Sequence, residues 1–179
     1  AVDRSHVERR EFNLLEATEQ IIASVRPVMR KAQIAIVIEI APDIVMDSDP
    51  GSYGQVLTNI FLNAAIHAFP DGRAGTIEVR ARPLGARHVE IVVSDDGVGM
   101  TEEVRQRAFD PFFTTRRSEG GTGLGLHIIH NLVTQSLGGR LQLESAPGRG
   151  TTIRIVLPRV ALHELASTPA RQATEQAHG

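Results

Sequence analysis

The sequence has 179 residues, of which 41% are hydrophobic and 22% are charged, a composition that fits one globular domain with a sizeable core. The formal net charge of −2 gives no overall field that would attract nucleic acid or an anionic membrane surface. The absence of cysteine excludes disulfides and thiolate metal sites. No apolar run comes near the length of about 20 residues that a membrane span requires.

The first part of the chain predicts a helix, two strands and a second helix. The apolar spacing over residues 12–31 is helical, and the strict alternation over Ile34–Ile40 predicts a strand. A short strand is predicted over residues 44–46. The stretch SDPG at residues 48–51 then favours a helix start, with proline in the first turn, and we expect that helix over residues 52–68.

The second part of the chain predicts mostly strands. Four further strands are predicted at residues 76–82, 88–95, 140–145 and 151–157. Between the second and the third of them we expect a short helix that Thr101 caps and that ends near Ala108, then a polar loop, and then a helix from Leu124 to the glycines at 138–139. Beyond Pro158 the residues are mostly small, polar or charged, which is typical of a tail or linker.

The five longer strands carry apolar residues on one face, whereas the opposite face is largely polar. This pattern is typical of a sheet that helices cover on one side only, and it favours an antiparallel arrangement. A doubly wound parallel sheet would require strands that are apolar on both faces. We therefore expect an α+β two-layer sandwich, in which three helices cover one face of a mixed, largely antiparallel sheet of about five strands.

Two polar residues lie on the apolar faces of these strands. Asp95 continues the apolar face of the strand that ends with it, and Thr151 begins the apolar face of the last strand. A carboxylate in such a place needs a hydrogen-bond donor, which makes Asp95 a candidate for ligand binding. The alternative is that the Asp-Asp-Gly stretch at residues 95–97 only opens a turn, and both interpretations stay open.

A line of polar residues also runs along the predicted helix over residues 52–68. Gln55, Asn59 and Asn63 are spaced four residues apart, so they lie on one face of that helix between apolar neighbours. Asparagine is unfavourable inside a helix, because its amide competes for the backbone. Two stacked amides could offer oxygens to a hard cation such as magnesium with phosphate ligands, or they could bind loop backbone.

Three alternate glycines, Gly121, Gly123 and Gly125, lie in the stretch GTGLGL at the start of a predicted helix. Free amides at a helix start favour an anion such as phosphate. The stretch does not match the GxxxxGKS/T phosphate loop, because it has no lysine, and a polar loop precedes it where the dinucleotide-binding fingerprint requires a strand. Glycine pairs also serve as hinges, so this pattern alone is weak evidence.

In chain order these features resemble the motifs of the catalytic and ATP-binding domain of sensor histidine kinases, which shares a superfamily with DNA gyrase, the ninety-kilodalton heat-shock chaperone and MutL. The N box is similar to QVLTNIFLNAAIHA, the G1 box to DDGVGM, the F box to FDPFFTT and the G2 box to GTGLGL. On this resemblance we expect a linker from an upstream dimerisation helix over residues 1–11, the ATP-binding domain over residues 12–158 and a tail, expected to be disordered, over residues 159–179.

The resemblance also implies roles for individual residues. It implies that Asp95 accepts a hydrogen bond from the adenine amino group with help from Thr151, and that Asn63 holds magnesium with Asn59 nearby as the second catalytic asparagine. It implies that residues 100–121 form a mobile lid over ATP. The other residues expected to contact the nucleotide are His67, Gly97, Gly99, Phe109, Phe112, Thr115, Arg116, Arg117, Gly121, Thr122, Gly123, Leu124, Gly125 and Leu126.

The type of reaction is indicated by Asn59. The resemblance implies that relatives which hydrolyse ATP carry a glutamate there, and an amide cannot deprotonate water. We therefore expect transfer of the γ-phosphate of Mg-ATP to a histidine on a separate dimerisation domain upstream of Ala1, since His6 lacks the context of the phosphoacceptor motif. The alternatives are a serine-directed kinase of the anti-sigma-factor type and a nucleotide-binding regulatory module without transfer activity.

The partners expected on this resemblance are the chain's own dimerisation domain and, through the full-length kinase, a response regulator. The expected cofactors are ATP and Mg²⁺. We expect a cytoplasmic, monomeric fragment that contacts neither nucleic acid nor membrane.

Overall fold

The structure, a computed structural model, describes residues 8–111 and 125–161. The strands are β1 (Arg10–Asn13), β2 (Ile34–Ile40), β3 (Val45–Ser48), β4 (Gly75–Leu84), β5 (His88–Asp95), β6 (Arg140–Ser145) and β7 (Thr151–Pro158). The helices are α1 (Leu14–Lys31), α2 (Pro50–His67), α3 (Glu102–Arg107) and α4 (Gly125–Asn131), which continues into a π-helical turn (Leu132–Ser136). Within the described ranges, no helix combines the length and the apolar character that crossing a membrane requires.

Five strands form the main sheet in the order β2-β4-β5-β7-β6. The pair β2–β4 is parallel, and the other three neighbouring pairs are antiparallel. The apolar residues of the sheet pack against α1, α2 and α4 in one continuous core. The predicted two-layer α+β fold with a mixed, largely antiparallel sheet is therefore confirmed.

Strand β5 illustrates why the sheet has one covered and one open face. Val89, Ile91 and Val93 alternate along it and are at most 3% exposed, because they point toward the helices. Glu90 points the other way and is buried by ion pairs with Arg82 at 3.0 Å and with a second arginine of β7 rather than by apolar packing. The alternation of the sequence therefore defines which side of the sheet receives the helices.

The start of α2 follows from local capping. The Asp49 carboxylate accepts hydrogen bonds from the backbone N–H groups of Gly51 at 3.0 Å and Ser52 at 3.3 Å, and Pro50 occupies the first turn. The predicted helix start at the SDPG stretch is confirmed, although α2 begins two residues earlier than expected. The short helix α3 is likewise capped by its predicted residue, since the Thr101 hydroxyl accepts from the N–H of Val104.

A second, two-stranded sheet was not predicted. β1 pairs antiparallel with β3, so the predicted helix start at residue 12 is wrong, and α1 begins at Leu14 with Asn13 as its cap. The physical reason is tertiary: the backbone of β3 and an ion pair from Arg9 to Asp47 at 2.8 Å hold these residues extended. The other side of Asp47 forms a parallel bridge with Val160.

The helix predicted from Leu124 to the glycines at 138–139 is only partly regular. Residue 124 lies outside the described residues, and α4 changes into the π-helical turn after Asn131. The N–H of Leu137 accordingly bonds the carbonyl of Leu132, five residues earlier. Gly138 then takes a φ of 67° and ends the helix, which is the role the sequence predicts for it.

Candidate functional site

A row of four residues crosses the sheet at the end of β5. The strand register places Asp95 between Ile77 of β4 and Thr151 of β7, and Thr151 in turn lies opposite Ser145 of β6. Directly opposed residues point to the same side of a sheet, and Ile77 is 1% exposed on the helix-covered side. The register therefore confirms that the Asp95 carboxylate and the Thr151 hydroxyl share the covered face.

The two oxygens of the Asp95 carboxylate have different surroundings. Oδ1 accepts hydrogen bonds from the backbone N–H groups of Gly97 at 2.9 Å and Thr151 at 3.2 Å. Oδ2 forms no hydrogen bond with any residue of the described ranges. The turn-forming role accounts for Oδ1 alone, because the bond to Gly97 is the local one that opens a turn. Oδ2 is left to accept a hydrogen bond from a ligand.

Burial determines the electrostatics of Asp95. Removal from water raises the pKa of its carboxyl above the ordinary value, and the negative charge of neighbouring Asp96 raises it further, although the two amide hydrogen bonds act in the opposite direction. A further hydrogen-bond donor would stabilise the charged form of this partly desolvated carboxylate. The site therefore favours a ligand that presents an N–H or O–H group.

Ser145 completes the row, and the sequence reasoning missed it. Its hydroxyl donates to the carbonyl of Gly150 at 2.9 Å, accepts from the N–H of Met100 at 2.8 Å and lies 2.8 Å from the Thr151 hydroxyl. The sequence signal was the same as for Asp95, because Ser145 continues an apolar alternation along β6. Serine is common at strand ends, and this signal was therefore weaker than that of an aspartate.

The loop that follows Asp95 is fixed on both sides. The N–H of Val98 donates to the carbonyl of Ala68 at the end of α2, and the carbonyl of Val98 accepts from the N–H of Gly148, both at 2.8 Å. A Cβ on Gly97 would collide with the Ala68 carbonyl. These contacts bring the end of α2 and the β6–β7 turn to the same end of the sheet as Asp95.

Two further glycines of this region are required by the protein's own backbone. Gly99 has a φ of +70° and a Cβ there would overlap the carbonyl of Ala146, whereas Gly150 has a φ of +69° and its Cβ would overlap the carbonyl of Asp95. The family resemblance implied that Gly99 contacts the nucleotide. The contact that the structure provides for Gly99 is with the β6–β7 turn.

The two asparagines of α2 lie one turn apart, both half-buried, and α4 begins beside them. Gly125 is so close to Asn63 that a Cβ on it would collide with the side-chain amide of Asn63. Neither Asn59 nor Asn63 forms a side-chain hydrogen bond with another residue of the described ranges. The structure thus brings two motifs together that are separated by about 60 residues of sequence, and it leaves their amides available.

The other predicted contacts are distributed as follows. His67 is the last residue of α2, and Leu126 packs against the hydrophobic core from the first turn of α4. The ring of Phe109, just after α3, lies 5.5 Å from the ring of His130 on α4. The predicted contacts that lie outside the described ranges, together with residues 112–121 of the expected lid, are Phe112, Thr115, Arg116, Arg117, Gly121, Thr122, Gly123 and Leu124.

The described part of the chain contains no group of three or more His, Cys, Asp and Glu residues that could hold a metal ion. A divalent cation at Asn63 would therefore take most of its ligands from a bound anion and from water. This donor set fits Mg²⁺, which prefers oxygen ligands and usually keeps several waters and substrate phosphates around it.

Comparison with known proteins identifies relatives for most of this region. A family model described as histidine kinase-, DNA gyrase B-, and HSP90-like ATPase matches residues 48–161. The chain is 44% identical over 113 residues to the sensor histidine kinase ZraS of Klebsiella oxytoca, covering 63% of this chain and 23% of ZraS. It is 41% identical over 110 residues to sporulation kinase E of Bacillus subtilis, covering 62% of this chain and 14% of that kinase. The chain thus spans less than a quarter of these relatives.

Solved structures give the same result for the fold. The catalytic domain of histidine kinase ThkA matches with a TM-score of 0.73 and 28% identity, over 86% of this chain and 97% of that domain. The mycobacterial sensor histidine kinase MprB matches with a TM-score of 0.70 and 28% identity, over 87% of this chain and 100% of that chain. ThkA has also been solved in complex with the response regulator TrrA, and that chain matches at 25% identity with a TM-score of 0.70.

Proposed function

Because the chain belongs to the family of histidine kinase-, DNA gyrase B- and HSP90-like ATPases, we propose that it is the ATP-binding kinase module of a two-component sensor histidine kinase. In this role it binds Mg-ATP and transfers the γ-phosphate to a histidine on a separate dimerisation domain. The observation that carries the proposal is the half-buried Asp95 carboxylate on the covered face of the sheet, whose Oδ1 is held by two backbone amides and whose Oδ2 is free to accept.

Asp95 binds the adenine base. The adenine amino group is the hydrogen-bond donor that a partly desolvated carboxylate requires, and a neutral planar base suits the apolar, helix-covered face of the sheet. Thr151 lies beside Asp95 in register and adds a second polar group at the same edge of the base. Gly97 and Gly99 shape the loop that borders the base, through the backbone contacts described above.

Asn63 binds the magnesium ion that accompanies the triphosphate. Its amide oxygen is one hard oxygen ligand, and the phosphates and water supply the others. The Gly125 backbone approaches the Asn63 side chain, which supports phosphate binding at the start of α4. His67 at the end of α2, Phe109, Leu126 and the expected contacts between residues 112 and 124 complete the proposed nucleotide site.

Asn59 favours transfer over hydrolysis. An amide at this position cannot remove a proton from water, so the bound γ-phosphate is protected from hydrolysis until another nucleophile arrives. A neutral imidazole needs no such base, because its nitrogen attacks phosphorus directly while Mg²⁺ neutralises the phosphate charge. The proposed partners are accordingly a dimerisation domain that carries this histidine and, as in the ThkA complex with TrrA, a response regulator.

The proposal is tested by a phosphotransfer assay. The chain is mixed with Mg-ATP labelled at the γ-phosphate and with a separate two-helix dimerisation domain that contains a phosphoacceptor histidine. We expect label on that domain which is lost in acid and stable in alkali, as phosphohistidine is. An acid-stable label on serine would identify a serine-directed kinase instead. Tight ATP binding without transfer to any acceptor would identify a regulatory module, and no ATP binding would refute the proposed function.

A further inference from the structure

Ser145 holds three groups that border the proposed adenine site. Its hydroxyl contacts the carbonyl of Gly150, the N–H of Met100 and the hydroxyl of Thr151, at 2.9, 2.8 and 2.8 Å. These three partners come from the β6–β7 turn, from the loop after β5 and from β7 itself. One side chain therefore joins the segments that surround the carboxylate of Asp95.

The direction of each bond follows from the chemistry of a hydroxyl group, which has one proton to donate and two lone pairs. A carbonyl can only accept, so the Ser145 proton is directed to Gly150. A backbone N–H can only donate, so one lone pair of Ser145 receives the proton of Met100. The remaining lone pair faces the Thr151 hydroxyl, and Thr151 must then be the donor of that bond.

This arrangement leaves Thr151 with no proton to offer a ligand. Its only hydroxyl proton is directed to Ser145, so the Thr151 hydroxyl, opposite Asp95 in register, has only lone pairs left for a ligand. The backbone N–H of Thr151 is also occupied, since it donates to Asp95 Oδ1 at 3.2 Å. The Thr151 hydroxyl and Asp95 Oδ2 are therefore two acceptors on neighbouring residues at this end of the sheet.

We infer that Ser145 is a positioning residue for base specificity: it fixes the Thr151 hydroxyl as an acceptor, so that the site accepts a purine with an amino group at position 6 and rejects one with an oxygen there. An amino group donates to both acceptors or to a water between them. A 6-oxo group places a third acceptor against two fixed ones, which leaves all three without a proton. The inference rests on the proposed function, because it assigns the base edge to Asp95 and Thr151.

The test compares the affinities for ATP and inosine triphosphate, which share ribose, phosphates and magnesium. They differ at the N1–C6 edge of the purine, where adenine has a 6-amino donor beside an N1 acceptor and hypoxanthine has a 6-oxo acceptor beside an N1–H donor. In Ser145→Ala the Thr151 hydroxyl can turn and donate to an oxygen. We expect the ratio of ATP to inosine triphosphate affinity, measured by calorimetry with Mg²⁺, to fall about fivefold, the size of one neutral hydrogen bond. If both affinities change by the same factor, or neither changes, Ser145 has no role in specificity.

Two further variants separate this effect from a general loss of structure. Thr151→Val removes the hydroxyl that Ser145 orients, so Ser145→Ala should not lower the affinity ratio further in that background. An additional fall would overturn the inference. Ser145→Cys keeps nearly the same volume but is a poor hydrogen-bond partner, and it should lower the ratio as Ser145→Ala does, even if the alanine variant folds poorly.

The chain offers a matched control in the residues next to Asp95 and Thr151. Ser94 of β5 and Thr152 of β7 form a similar hydroxyl pair at 3.0 Å, but on the opposite face of the sheet. Ser94→Ala should leave the affinity ratio unchanged, and an equal fall in that variant would overturn the inference. A wild-type chain that binds neither nucleotide would refute the proposed function itself, whereas normal ATP binding with an unchanged ratio in Ser145→Ala refutes only the role of Ser145.

Discussion

Replacing Asp95 by asparagine changes one oxygen of the proposed adenine site and little else. The amide oxygen of asparagine can still accept from the backbone N–H groups of Gly97 and Thr151, as Oδ1 does in the wild type. The NH₂ group then takes the place of the free Oδ2. The variant therefore keeps the hydrogen bonds of the fold, removes a half-buried charge and turns an acceptor into a donor.

The effect on nucleotide binding follows from this exchange. A hydrogen bond to a charged group contributes about 1.5–3 kcal/mol, and a donor left facing another donor costs about 1–3 kcal/mol more. A combined loss of about 3 kcal/mol corresponds to about 100-fold weaker ATP binding, since each 1.4 kcal/mol is a factor of ten. We expect this loss for Asp95→Asn in calorimetric titrations with Mg-ATP.

The stability of the nucleotide-free protein should change in the opposite direction. Burial raises the pKa of Asp95 in the folded state, so the protonated form stabilises the fold, and this contribution is lost as the pH rises through the raised pKa. Asparagine is never ionised and avoids that loss. The Tm of Asp95→Asn should therefore equal or exceed that of the wild type at pH 7, and the difference should narrow as the pH falls toward the ordinary carboxyl pKa.

Asp96→Asn is the matched control, because it makes the same chemical change at the next residue. Asp96 is exposed, and its Oδ1 accepts from the N–H of Thr76 at the start of β4 at 2.8 Å, away from the proposed base. We expect its ATP affinity to stay within about threefold of the wild type, less than one neutral hydrogen bond. The assignment of Asp95 to the adenine amino group is wrong if Asp95→Asn also stays within that limit, or if it loses ATP binding only because the free protein has unfolded.

Two other substitutions probe the phosphate end of the site. Asn63→Ala removes the proposed magnesium ligand, so ATP affinity with and without Mg²⁺ should become equal in calorimetry, and a remaining magnesium dependence would contradict the assignment. Gly125→Ala introduces a Cβ that collides with the Asn63 amide and should weaken Mg-ATP binding about tenfold or more, the equivalent of 1.4 kcal/mol. Its control is Gly54→Ala within α2, where the new Cβ makes only an ordinary contact with Ile21 at 3.6 Å; this variant should leave binding unchanged and raise stability by up to about 1 kcal/mol.

The main sheet could be predicted because each strand carries its own evidence. β5 and β6 have the predicted bounds, since the period-two alternation starts and stops with the strand. β1 has no such signal: its four residues, Arg10–Asn13, are extended because β3 lies beside them. Local pattern therefore identified elements that bury one face in the core, and it missed the strand that depends on a neighbour distant in sequence.

The same limit applies to the polar part of the site. Asp95 could be singled out because a carboxylate on an apolar face is costly and needs an explanation. Ser145 occupies an equivalent place on β6, but a hydroxyl costs much less to bury, so the sequence alone does not separate it from an ordinary strand end. Its importance depends on three partners that only the register of β6 and β7 brings within hydrogen-bond distance.

Glycines show most clearly what a sequence pattern leaves undecided. A glycine marks a position where a Cβ would be excluded, but not which group excludes it. For Gly99 and Gly150 that group is a carbonyl of the chain itself, whereas for Gly125 it is the side chain of Asn63. Contacts with ATP are therefore better assigned from polar atoms that the fold leaves unpaired, and by this criterion Asp95 Oδ2 ranks above any glycine of the two glycine-rich motifs.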